Sequence, residues 1–221
     1  MTLRHFKLLL LDIYRIIVHP EEIIFMVIFD FLLLVAAYIL SYIYPQYSGE
    51  WIASFILILL FINSLLGQPL FIRRDQKNGW LLQLACAGIR AEYYYLFKLI
   101  SGFCQQIVPV LIYLLVLLFL FELTFVWLFA TAVITVLIMI GVIVVNVITL
   151  SITPPRDYIL FLVLAIPMLI PLFLAGYVLL GGAYLSFKTY PWAWMHWLIS
   201  YDLIMLAAVW FGTEFLWEEF S

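Results

Sequence analysis

Six apolar runs decide what this chain can fold into. At about 1.5 Å of rise per helical residue, a hydrocarbon layer of about 30 Å needs roughly 20 residues. Runs of that length can be drawn at roughly 23–44, 51–72, 99–121, 125–150, 158–180 and 198–217. They lack the strict apolar/polar alternation of barrel strands, and lipid offers an open backbone no hydrogen-bond partner, so the spans should be helices. The composition agrees: 68% of the 221 residues are apolar, against roughly 45–50% in a soluble domain. The chain reads as one all-α membrane domain over residues 1–221.

Residues 1–20 are expected to be retained rather than cleaved as a leader, because Asp12 and Arg15 interrupt the apolar run and no A-x-A pattern follows. On a helical wheel Arg4, Lys7, Asp12, Arg15 and His19 fall within an arc of roughly 140°, opposite Leu3, Phe6, Leu9, Leu10, Ile13, Ile16 and Ile17. That pattern predicts an amphipathic helix lying in the membrane surface. Basic residues orient the rest. Arg4, Lys7, Arg15, Arg73, Arg74, Lys77, Arg90, Lys98 and Arg156 share one side of a six-span chain, and only Lys188 falls on the other. The positive-inside rule then puts both termini and the 73–98 and 151–157 loops in the cytoplasm, with 181–197 outside. A bacterial inner membrane fits this layout, as does the mitochondrial inner membrane.

Several classes of function are excluded by what the chain lacks. A net charge of -3 with no basic patch and no glycine-rich phosphate cradle excludes nucleic acid and, on this chain, ATP hydrolysis. Cys86 and Cys104 form no CxxC pair and make neither a redox nor a zinc motif. No G-x-S-x-G or H-E-x-x-H spacing occurs, so the chain is not expected to be an enzyme by itself, nor to hold a cofactor or metal.

Three features inside or beside the spans remain. Asp30 and Asp202 are carboxylates within apolar runs, Asp202 near the outer end of the last; such residues are costly in lipid and point to function. A transport role for Asp30 stands against the plainer readings of a protonated, snorkelling or partner-paired acid. In the fifth span, "IPMLIP" sets Pro167 and Pro171 four residues apart, which predicts a kinked or broken helix. The "YPWAWMHW" segment from Tyr190 surrounds His196 with tryptophans, as an interfacial aromatic belt does; a haem platform is the sharper alternative.

The 73–98 loop is the longest stretch predicted to be cytoplasmic after the N-terminus. Asp75 is placed to cap a helix starting near Gln76 and Gly88 to end it, with Trp80, Leu81, Leu82, Leu84 and Ala85 as its apolar residues. A loop that only fixes topology would not need that apolar run.

At these residues the chain resembles a known family. The order of surface helix, two spans, a charged D-x-x-(D/N)-G-x-L-x-Q-L segment, two spans, a short basic loop, a proline-containing fifth span and a sixth span is similar to cytochrome c maturation protein B, the haem exporter permease of the ABC transporter class. Asp75, Asn78, Gly79, Leu81, Gln83 and Leu84 carry the likeness, with Pro167 and Pro171. It implies an ABC-2-type permease architecture that pairs with a second copy of itself and with two copies of an ATP-binding subunit. Asp75, Asn78, Gly79, Trp80, Leu81, Gln83 and Leu84 would form the 75–88 coupling helix that docks on the ATPase. A haem-handling C subunit and a small D subunit are further implied partners, and haem the implied cargo. Whether haem passes through the chain or ATP energy frees a haem-loaded chaperone stays open. Other readings are an ABC-2 permease for lipid or glycan and a non-transporting assembly scaffold.

Overall fold

A computed structural model describes Tyr14, residues 21–77, Cys86, and residues 91–121, 125–153, 157–183 and 192–218. These form six long helices: α1 (Glu21–Ile43), α2 (Ser48–Lys77), α3 (Ala91–Phe121), α4 (Phe125–Ile152), α5 (Tyr158–Ala183) and α6 (Trp192–Glu218). A single 3-10 turn, Pro45–Tyr47, joins α1 to α2. All six helices contain a stretch long and apolar enough to cross a membrane. The surface helix expected over 1–20 lies outside the described residues, except for Tyr14, which is helical.

Helix α4 is the axis of the bundle, packing against α2, α3, α5 and α6. Every residue from Gly141 to Val147 is buried, so for two turns the helix has protein on all sides. A helix apolar all round suits that place. Helix α1 is peripheral and packs against α2 and α3. Its buried residues, Met26, Asp30, Leu34, Ala37 and Ser41, recur at helical spacing and form one inward stripe, while Ile24, Ile28, Phe31, Leu32 and Ile39 are exposed on the other faces. In lipid the outward stripe costs nothing, and the inward one is held by close packing and polar contacts rather than by the hydrophobic effect.

Three boundaries differ from the sequence reading. Helix α3 starts at Ala91, not near 99, so Lys98 is helical. Lys98 is buried with its Nζ 5.3 Å from the centre of the Tyr94 ring, an aromatic surface that lets a cation sit inside the bundle. Helix α6 starts at Trp192, not near 198, so the tryptophan segment forms the first turns of a span rather than a loop. Helix α2 runs unbroken through Asp75 to Lys77, so Asp75 does not cap a new helix at Gln76. Its backbone lies in the last turn of a helix already formed, because no glycine or proline between Leu70 and Lys77 stops the helix. Asn78, Gly79, Trp80, Leu81, Gln83 and Leu84 lie outside the described residues.

The fifth span is also not broken. Helix α5 continues across Pro167 and Pro171 as one element. Each proline withholds an N–H from the carbonyl four residues back and crowds the turn before it. In a membrane, helices with such defects persist where neighbouring groups hydrogen-bond the disturbed carbonyls. The carbonyls deprived of an N–H here are those of Val163 and Pro167. Next to the second, the Tyr201 hydroxyl of α6 donates to the Met168 carbonyl and ties the turn between the prolines to its neighbour.

Candidate functional site

Polar side chains inside the spans link three of the helices. Asp30, on the inward stripe of α1, is 1% exposed, and Asn63 Nδ2 of α2 donates to its two carboxylate oxygens at 3.1 and 3.0 Å. The next residue on α2, Ser64, accepts from Asn146 Nδ2 of α4. Adjacent residues of α2 therefore reach in two directions, to α1 and to the bundle axis, and tie three helices into one polar chain. An amide suits this role because it offers donors and an acceptor on one short side chain. Thr149 Oγ1, one turn on, donates to the Val145 carbonyl at 2.8 Å and stays within its own helix.

Asp202 is in a different situation. It is 5% exposed, and neither carboxylate oxygen has a hydrogen-bond partner among the described residues. It is not near the end of its span. With α6 starting at Trp192, Asp202 stands about 15 Å along the axis, in the middle of the apolar stretch Trp192–Phe211. Its carboxylate rests on Gly141 of α4: a Cβ added there would overlap Asp202 Oδ1 and come within 2.6 Å of Leu172 Cδ1 on α5. Gly141 is thus the floor of the seat, and only a missing side chain admits the acid. The neighbouring Tyr201 hydroxyl is committed to Met168. An ionised carboxylate at the centre of a span costs about 2.5–3.5 kcal/mol on insertion scales. Asp30 offsets part of that cost through Asn63; Asp202 has no such contact.

Other polar atoms in the interior lack partners among the described residues. They include both terminal atoms of Gln106, Gln105 Oε1, Thr131 Oγ1, Thr135 Oγ1, Asn63 Oδ1 and Asn146 Oδ1. A bundle built only to stay shut would pair these groups or replace them with apolar ones.

His196 lies in the first turns of α6, exposed, with Nδ1–H donating to the Trp192 carbonyl at 2.9 Å. Trp194 and Trp197 meet edge to face at 6.3 Å, and Trp197 stacks on Tyr201 at 5.5 Å. The aromatic residues thus climb the helix as a ladder from its start to the Tyr201–Asp202 pair. Pro167 is exposed and Pro171 half-buried on α5. The described cysteines, Cys86 and Cys104, are free thiols. Among the described residues no three His, Cys, Asp or Glu side chains gather as a metal site would require.

Sequence reading singled out Asp30 and Asp202 but passed over Asn63, Asn146 and Gly141. The signal for the first two was available: Asn63, Asn78 and Asn146 are the chain's asparagines, and two of them interrupt apolar runs. A polar amide in such a run warrants the same question as a carboxylate.

The chain is a multi-pass membrane protein with polar side chains buried in an apolar interior. Compared with known proteins, it matches no family model, no curated protein and no solved structure.

Proposed function

We propose that the chain is the permease subunit of an ATP-driven transporter, of the ABC-2 kind, serving haem export or haem transfer in cytochrome c maturation. The observation that carries this reading is the polar layer inside six apolar helices. Asp30, Asn63, Ser64, Asn146 and Asp202 are buried among the helices, and several of their polar atoms have no partner among the described residues. Unpaired polar atoms in an interior suit a bundle that changes its packing while it works, since a static scaffold gains nothing from them. Asp30 serves as the interior carboxylate of the transport path.

The energy source is a partner, because the sequence has no G-x-x-x-x-G-K-[ST] segment to cradle a nucleotide. Two ATP-binding subunits dock on residues 75–88, and a second copy of the chain completes the permease, with both termini in the cytoplasm. Haem is the cargo implied by the likeness at Asp75, Asn78, Gly79, Leu81, Gln83 and Leu84. The test is to delete the chain in its host and measure haem covalently attached to c-type cytochromes. Loss of attached haem, restored by the wild-type chain, is the expected result. Unchanged cytochromes would exclude haem and leave lipid or glycan as the cargo class.

A further inference from the structure

We propose that Asp202 is a proton-binding site whose loading decides whether α6 rests on α4. The proposal concerns this chain alone and does not depend on the partner or cargo named above. Its basis is the seat itself. The carboxyl group is buried at mid-span, lies against Gly141 where Leu172 of α5 also closes in, and has no hydrogen-bond partner among the described residues. No space beside Oδ1 would take even one methyl group on α4.

Among the described residues the surroundings offer no countercharge. Helix α4 carries no ionisable side chain, and α5 carries Tyr158, several turns before Leu172, and Tyr177, more than one turn after it. Helix α3 carries Glu92, Lys98, Cys104 and Tyr93, Tyr94, Tyr95 and Tyr113; its one cation, Lys98, is placed over the Tyr94 ring. On α6 itself the ionisable neighbours are Tyr201, engaged with Met168, then His196, Glu214 and Glu218 in other turns. A carboxylate in such a place keeps its charge only with water or a cation beside it, and both oxygens are buried away from solvent, Oδ1 against Gly141. The seated form is therefore the neutral acid. Losing the proton requires α6 to part from α4 far enough to hydrate the carboxylate, and regaining it allows the helices to close. A proton is taken up or released at one oxygen, and no other bond changes. The sign follows: acid favours the seated bundle and alkali the parted one.

The test uses the full chain in the membranes of cells that express it, with dicyclohexylcarbodiimide, an apolar reagent that modifies protonated carboxyl groups, as probe and peptide mass spectrometry as readout. The expected result is an adduct on Asp202 whose yield falls as pH rises, by about tenfold per pH unit beyond its midpoint. Gly141→Ala, which wedges the seat, and Leu172→Ala, which loosens the packing against Gly141, should both move that fall to lower pH. The second variant keeps the question answerable if the first is not inserted. Infrared absorbance of the acid carbonyl, compared between wild type and Asp202→Asn, reports the proton without the reagent. A pH-independent adduct would make Asp202 a permanently neutral packing group and overturn the proposal. So would the absence of any adduct together with no carbonyl band lost in Asp202→Asn, or a pH profile unchanged in both seat variants.

Discussion

Replacing Asn63 by leucine removes the only donor that reaches Asp30 among the described residues. The amide spans both carboxylate oxygens at 3.1 and 3.0 Å, and Asp30 is 1% exposed, so no solvent takes its place. Leaving a buried polar group without its partner costs about 1–3 kcal/mol, whereas hydrogen bonds between membrane helices couple by about 0.6 kcal/mol on average and about 1.7 at most. Contact with both oxygens places this pair at the upper end of the membrane range. Asn63→Leu should therefore destabilise the bundle by about 2 kcal/mol. Asp30→Leu should cost less, about 1 kcal/mol, because it removes a buried acid while orphaning an amide. The double variant should be no worse than Asn63→Leu, and the interaction energy should come to about 1.5 kcal/mol, close to a tenfold change in the unfolding equilibrium. Reversible unfolding in mixed micelles, read by tryptophan fluorescence, measures all four corners of the cycle. Effects that add to within about 0.5 kcal/mol would refute the claim that these two side chains sustain each other.

Further outcomes follow from the same packing. Gly141→Ala and Gly176→Ala should each destabilise by about 1–3 kcal/mol, the second because a Cβ there would come within 2.6 Å of Ile138 Cδ1 and 3.0 Å of Leu57 Cδ2. Gly181→Ala, with nothing within 4 Å, should be neutral or stabilising by up to about 1 kcal/mol in the same unfolding assay. Tyr201→Phe should cost about 1 kcal/mol by freeing the Met168 carbonyl between the two prolines, and hydrogen exchange should rise in that turn of α5. Trp80→Ala should lower the amount of ATPase recovered with the chain while leaving its insertion unchanged, as measured by co-purification and membrane yield.

The number of spans was legible because twenty-residue apolar runs have few alternatives in lipid. Their ends were less so, for a reason visible at α3 and α6. Glu92 and Lys98, and the tryptophans from Trp192 to Trp197, lower the local apolar signal without lowering the tendency to form a helix. At the prolines of α5 the sequence predicted a kinked or broken helix; the hydroxyl that ties that turn to its neighbour, Tyr201 on the Met168 carbonyl, is on another helix, 33 residues further on. The same separation of 33 residues divides Asp30 from Asn63, a pairing fixed by how α1 and α2 align around the Pro45–Tyr47 turn rather than by any local pattern. Gly141 gave no sign of its role, since a glycine in an apolar run is ordinary until the carboxylate that fills its notch is known.

The central claim, a permease driven by a partner's ATP, is tested most directly by isolating the full chain from its native membranes in mild detergent and identifying what comes with it. The account predicts an ATP-hydrolysing subunit in equal copy number. A chain that elutes with no nucleotide-binding partner would contradict it.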